Sequence, residues 1–445
     1  MKLTVIALLT ALTAANLTAQ APARATPAYL ALGPMIGHTG PNDTRIWAKA
    51  SKAARLAVRV GTDAELGNGR VVNGPALGSD SDYMGHVRIT DLRPSTEYHY
   101  VILLDGEPAM ARPYPSFTTA PDIGAPGRTR IAFSSCVGRS GFMTAAIWAN
   151  MSARTRFDLL LMLGDNTYAD STVPEVQRRH YYDHRSQLGY AEITRRVPTY
   201  AIWDDHDYGP NDSDGTARGK EVSLQTFQQL WANPSYGQPD DPGIYYKFSR
   251  GEVDFFMLDS RYHRSPNRAP DDGTKTMLGG RQLAWLKREL LASRAKVKFI
   301  ACGSEWEIFS HQDSWSSFAR ERDDIFAFLR ERDLPGVVLL SGDRHFTGGY
   351  QIAGRFIEIT SGPLGSRVTN GVNKPDMFLN LVEGTMCSVF DVDTTGPEPQ
   401  LTLEVYRDAG GKIHERKFTW DEVNGRARIP TLPAPPPKPP EPAKK

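Results

Sequence analysis

The stretch FDLLLMLGDNTYAD, Phe157 to Asp170, constrains this chain more than any other: an unbroken apolar run, Leu159 to Leu163, stops at Gly164 and gives way to Asp165, Tyr168 and Asp170. A run without polar alternation predicts a central parallel strand covered on both faces. Open α/β sheets hold ligands just beyond the carboxyl ends of such strands, and an aspartate directly after a glycine turn can aim its carboxylate into that space. Asp165 is therefore the first metal-ligand candidate. Gly-Asp is also an ordinary turn dipeptide, so other strand ends have to decide between the two readings.

From Tyr29 to about Ala120 the chain reads as short strands separated by turns: RIWAKAS, RLAVRVGT, HVRITDL, EYHYVILLDG and PSFTTAP. This pattern predicts a small β-sandwich over residues 27–120. Leu92 to Tyr100, followed by Phe117-Thr118-Thr119, resembles the corner and last strand of fibronectin type III-like domains. The linker PDIGAPGRTR then leads into a region, 128–425, where strand and helix patterns alternate, as an α/β domain requires. At 445 residues the chain is long enough for both cores, and 39 glycines with 32 prolines imply long loops. Strand candidates are RIAFSS, FDLLLML, TYAIWD, VDFFMLD, KVKFIACG, GVVLLSG and RFIEITSG; RQLAWLKRELLAS and SSFARERDDIFAFLRER read as amphipathic helices. Later strands, CSVFDVD, PQLTLEVYRD and IHERKFTW, extend a sheet edge or cover the core. Residues 426–445 are proline-rich and cannot build a packed core, so they read as an extended tail.

Residues 1–20 have the form of a secretory signal peptide, with Lys2, an apolar core from Leu3 to Leu12 and small residues around Gln20. The expectation is an exported protein, periplasmic or extracellular, without a transmembrane anchor. With 52 basic against 51 acidic residues no global field favours nucleic acid or an anionic membrane as partner. Cys136, Cys302 and Cys387 are too few for a disulfide framework. Cys302 and Cys387 read as buried thiols or a single bridge. Cys136, at a strand end beside Ser135, stands apart.

Four α/β strands end in polar clusters: Ser134-Ser135-Cys136, Gly164-Asp165-Asn166-Thr167-Tyr168, Trp203-Asp204-Asp205-His206-Asp207 and Gly342-Asp343-Arg344-His345. Converging on one crevice, they offer thiolate, carboxylate, phenolate and imidazole, a donor set for metal ions. Their order, FSSC, GDxxY, WDDHD, LDSR and SGDRH, resembles the calcineurin-like metallophosphoesterase superfamily and, within it, the PhoD-like (alkaline phosphatase D) branch. The likeness spans about Tyr29 to Asp391. It implies a metallophosphoesterase-type α/β sandwich behind the small fibronectin III-like domain.

The resemblance further implies a mixed Fe3+ and Ca2+ centre, other divalent metals being possible. Asp165 would be shared between the ions, with Cys136, Tyr168 and His345 on iron. Asp343 replaces an imidazole of the superfamily pattern by a carboxylate, which suits calcium. Asp205 aligns with a metal-binding asparagine, and Asn211 is the alternative amide ligand. His206 would contact phosphate or protonate the leaving group, with Arg344 and Asn166 on the phosphoryl oxygens; Arg344 reads equally well as one half of an internal salt bridge. Asp259 and Arg261 would orient the ligands. Where the superfamily supplies one more metal-binding histidine this chain has SEWEIFSH, so Glu305 and His311 stay open. His180, His184 and His263 read as surface or supporting groups. The implied activity is hydrolysis of small phosphomonoesters, phosphodiesters or both by metal-activated hydroxide. The alternatives are a phospholipid or nucleic-acid phosphodiesterase with the same centre, and a non-catalytic envelope-binding protein.

Overall fold

Leu159–Leu163 is buried at every position and pairs in parallel with Arg128–Ser134 on one side and Thr199–Ile202 on the other. The computed structural model in which this is seen describes residues 26–307, 312–369 and 376–433. The expected signal peptide at 1–20, His311 and the end of the proline-rich tail lie outside the described residues.

The apolar strand belongs to a six-stranded sheet that continues from Arg128–Ser134 into Met386–Asp393, Gln400–Arg407 and Gly411–Phe418, all three antiparallel. These late strands extend the sheet. A seven-stranded sheet faces it, with Val253–Met257, Val297–Ala301, Val337–Ser341 and Phe356–Thr360 parallel at its centre. The inner faces meet through aromatic rings: Phe133 stacks on Phe390 at 5.5 Å within the six-stranded sheet, and Phe390 tilts against Phe299 of the facing sheet at 5.4 Å. Such pairs favour offset geometry because ring faces and edges carry opposite partial charge. On the outer face of the seven-stranded sheet lie the helices Gly280–Ala292 and Ala319–Glu331, which bury Trp285, Leu286, Leu290, Ile325, Phe326 and Leu329. The apolar spacing of both helices puts these residues on one stripe, and most of their charges face water, Glu321 and Arg322 being buried exceptions.

The amino-terminal strands form the β-sandwich. One sheet holds Leu30–Thr39, Thr44–Ala50 and Met84–Ile89, the other is built on Ala54–Gly61 and Glu97–Leu104, and Ile46, Val58, Val87, Tyr100 and Phe117 share the core between them. Tyr98 Oη accepts from the Arg93 amide at 3.0 Å, closing a corner of the type found in immunoglobulin-like sandwiches. Leu30–Thr39 and Arg70–Leu77 are absent from the sequence-based strand list. Both carry a Gly-Pro pair, LALGPMIGHT and RVVNGPAL, which reads locally as a turn but is tolerated where a sheet bulges or ends. The sandwich docks on the α/β body through Trp47 Nε1 donating to Gln229 O at 3.0 Å and Tyr100 Oη donating to Arg195 O at 2.7 Å.

All three cysteines are free and buried, so the bridge between Cys302 and Cys387 does not form. His184 is buried, with Nε2 3.2 Å from the Gly138 carbonyl, and burial pushes its imidazole down to about 4. The unfolded chain therefore takes up a proton that the folded one refuses. This contribution to stability is present above the ordinary value of 6.5 and is lost as the pH falls toward 4. The thermal midpoint is expected to drop across that window, and to drop less steeply in His184→Gln, as calorimetry at stepped pH would read.

Among the described residues, no helix is long and apolar enough to cross a membrane.

Candidate metal centre

The sheets deliver their strand ends to one place. Cys136, Asp165, Asp343 and His345 all have left-handed backbones, φ +61°, +51°, +70° and +52°, each just past a strand end. A side chain there leaves the line of the strand and turns into the crevice, at a conformational cost that only surrounding structure can impose. Gly164 makes the turn at Asp165 possible: at φ +95° a Cβ would sit 2.7 Å from that of Asp204.

Cys136, Asp165 and His345 present ligand atoms within 4.8 Å of one another, as do Asp165, Asp205 and His206, and Asp204, Asp205 and Asp343. Asp165 joins the first two groups and Asp205 the last two. Tyr168 Oη donates to Asp165 Oδ2 at 3.2 Å and lies 2.9 Å from His345 Nε2; Cys136 Sγ is 3.5 Å from the same carboxylate oxygen. Thiol, phenol, carboxylate and imidazole thus point at a common centre.

Asp165 is 1% exposed, Asp204 0% and Asp205 2%. Burial, with Cys136, Asp205, Asp204 and Asp343 adding repulsion, raises Asp165 well above the usual carboxylate range. Burial likewise raises Asp343, pushes Asp204 up to about 6 and Cys136 up to about 12, and lowers His345. Asp165 Oδ1, Asp204 Oδ2, Asp205 Oδ1 and Asp343 Oδ2 are buried without a hydrogen-bond partner. Carboxylates packed together out of water stay ionised only if cations compensate them. The donor set therefore fits metal ions: soft and imidazole donors at the Cys136 end, oxygens at the Asp343 end.

Side chains behind the cluster hold it in shape. Arg261, 0% exposed, donates from Nε to Asp204 Oδ1 at 2.6 Å, lies 3.7 Å from Asp205 Oδ1 and forks onto Asp313 at 3.0 and 2.5 Å. Arg264 adds a contact to Asp313 at 2.8 Å. Asp259 accepts from Trp203 Nε1 at 2.8 Å and from the Arg261 amide at 2.9 Å, tying two of the loops together. Asp207 accepts from the Asp204 and Asn166 amides and from Tyr181 Oη. On the open side His206 stacks on Tyr168 at 4.1 Å, and its Nδ1 lies 2.5 Å from Asp170 Oδ1.

Two residues expected at the centre are not brought there. Asn211 is exposed and bonds to its neighbour Asp212 at 2.8 Å, whereas Asp205 is buried inside the cluster. Asn166 donates from Nδ2 to Ile202 O at 2.7 Å and lines a small internal space with Trp148, Tyr181 and Arg185, away from the carboxylates. The amide that follows the ligand aspartate is spent on joining two strand ends. Arg344 does form a salt bridge, to Glu305 at 3.2 Å, with Asp343 farther off at 4.0 Å. Of the other histidines, His263 lies 2.8 Å from Pro242 O. Sequence reasoning assigned no role to Asp204, Asp170 or Asp313. For Asp204 and Asp170 the signal was adjacency to ligands in WDDHD and YAD; Asp313, paired across 52 residues with Arg261, left none.

A family model described as PhoD-like phosphatase matches residues 131–388, more than half of the chain. The chain belongs to the PhoD-like phosphatase family. A second model, for a domain of unknown function (DUF7800), matches residues 27–121, the sandwich that precedes the family's region. Alkaline phosphatase D of Bacillus subtilis (strain 168) is 25% identical over 351 residues, covering 65% of this chain and 59% of that protein. Purple acid phosphatase 15 of Arabidopsis thaliana is 24% identical over 261 residues, 54% of this chain and 43% of that protein. The chain thus spans about half the length of the curated relatives it matches. A solved PhoD structure superposes with a TM-score of 0.72 at 18% identity, covering 89% of this chain and 94% of that one. The purple acid phosphatase PPD1 from yellow lupin gives 0.65 at 14% identity, over 91% and 77%. At these identities the likeness speaks to the fold, which is the mixed α/β architecture expected of a PhoD-like chain.

Proposed function

We propose that this PhoD-like chain is an exported, metal-dependent phosphoesterase that cleaves phosphomonoesters, phosphodiesters or both in the crevice at Asp165. Cys136, Asp165, Tyr168 and His345 would hold a trivalent iron. Asp165, Asp205 and Asp343, with Asp204 beside them, would hold a calcium ion or another divalent metal. The observation that carries this reading is that Asp165 belongs both to the group with Cys136 and His345 and to the group with Asp205 and His206, while Asp205 links onward to Asp204 and Asp343. Such ions neutralise an anionic ester and lower the pKa of water in their reach.

The chain's own groups do the rest. Asp170 takes the Nδ1 side of His206, which leaves Nε2 as the atom able to contact a phosphoryl oxygen or give a proton to the departing alcohol. Stacking on Tyr168 fixes the plane of the ring. Arg344 reaches the edge of the cluster beside Asp343 and suits a forked grip on phosphoryl oxygens. Asp170→Asn is expected to lower kcat about a hundredfold, with metal content unchanged, because the ring loses the carboxylate that orients it. Steady-state kinetics beside elemental analysis reads both.

The reading is tested on protein purified from its own compartment. Elemental analysis is expected to find iron with a second metal, and a thiolate and phenolate on trivalent iron would give visible charge-transfer absorption. A simple aryl monoester, a bis-aryl diester and a phospholipid, assayed side by side, rank the substrate classes. Fully metallated protein that turns over none of them would leave the envelope-binding alternative standing.

A further inference from the structure

Glu305 lies on the loop that leaves Val297–Ala301, where the superfamily pattern led to the expectation of a metal-binding histidine. It is fully buried, yet it joins none of the metal-type groups found among the described residues. Its carboxylate meets Arg344 instead as a close ion pair rather than an aligned hydrogen bond, Oε2 lying 3.2 Å from Nε, with the glutamate side chain 1% exposed and the arginine 17%. The contact takes the guanidinium by its inner edge. Nη1 stands 4.0 Å from Asp343 Oδ2, at the margin of the carboxylate cluster.

The loop under this contact is fastened to the sheet. Glu358, on the strand Phe356–Thr360, accepts from the amides of Trp306 and Glu307 at 2.8 and 2.9 Å and from Ser341 Oγ at 2.6 Å. Trp306 also stacks on Trp315 at 4.6 Å. The residues next to Glu305 are therefore tied to two strands of the seven-stranded sheet, and the carboxylate is presented from a fixed base. A free arginine side chain samples many rotamers, and ordering it weakens whatever it binds. One held at Nε has that freedom removed beforehand, while its Nη nitrogens keep their donors for a phosphoryl group.

We propose that Glu305 is a positioning residue: it holds Arg344 at Nε so that the Nη edge faces the substrate's phosphoryl group. This rests on the proposed function only in taking Arg344 as a phosphoryl contact. A double-mutant cycle tests it, using Glu305→Gln, Arg344→Gln and the pair in the metal-loaded protein. The readouts are KM and kcat on a simple aryl phosphate and the binding of inorganic phosphate by calorimetry.

Glu305→Gln is expected to raise both KM and the phosphate Kd about tenfold while changing kcat less than about threefold. Added to Arg344→Gln, it should change neither further. Equal weakening of phosphate binding in both backgrounds, or none in either, overturns the proposal. Should Glu305→Gln not fold, Glu305→Asp keeps the carboxyl group but withdraws it by one methylene, and the same outcomes apply. Wild-type protein that hydrolyses nothing would sink the phosphoesterase reading, whereas phosphate calorimetry would still judge Glu305.

Discussion

Asp165→Asn is expected to lower kcat by at least about a thousandfold, because in the proposed centre a neutral amide would compensate two cations poorly, and their charge stabilisation would be worth several kcal/mol. Asp165 Oδ2 receives Tyr168 and faces Cys136, while Oδ1 is buried without a partner, so both oxygens are placed to serve the proposed centre. Asparagine has nearly the same shape, and the strand beneath it is unchanged, so the fold should persist. Metal content should fall with activity. Exhaustive chelation of the wild type should produce the same loss, reversed by adding metal back, and a variant that kept its ions and its rate would show that Asp165 is only a turn residue.

The largest expected effect on stability comes from Asp313→Ala. Arg261 and Arg264 are both buried, and Asp313 is 1% exposed between them. Burial opposes its ionisation, but the two guanidinium groups outweigh burial and hold it well below the usual carboxylate range. Removing it leaves Arg264 without a carboxylate and takes from Arg261 its forked partner, both out of water, which costs about 3–5 kcal/mol. A fall of roughly 3–6 °C in the thermal midpoint follows for a chain of this size. The sign of the pH dependence is set by the depressed value: the contribution is complete above the ordinary 3.8 and is lost only as the pH falls below it. At neutral pH the variant should therefore show its full deficit, and the deficit should shrink in strong acid. Arg261 also grips Asp204, so some loss of metal affinity should accompany the loss of stability.

The two cases differ in how far sequence could reach them. The ligands follow uninterrupted apolar runs, such as Leu159–Leu163 and Val337–Ser341, whose composition sets strand type and whose ends set the place of the polar residue. A run of that kind announces both the strand and the crevice beyond it. Asp313 follows no such run. Its importance arises from Arg261 and Arg264 on another loop, a pairing that exists only once two distant segments are brought together. Asn166 shows the opposite difficulty, since its position beside Asp165 suggested a part in chemistry that its bond to Ile202 O takes away. Asp205 and Asn211 lie six positions apart on one loop, and only burial distinguishes them. Glu305 and Arg344 were each noticed separately, and the contact between them was not.

The left-handed backbones at Cys136, Asp165, Asp343 and His345 set the interests of the fold against those of the chemistry. Glycine at any of these turns would relieve the main chain and cost only the donor atom. A related chain without the proposed activity could thus gain stability by discarding these donors one at a time. Four donor side chains at such positions ask of the crevice something that the sheets alone would not.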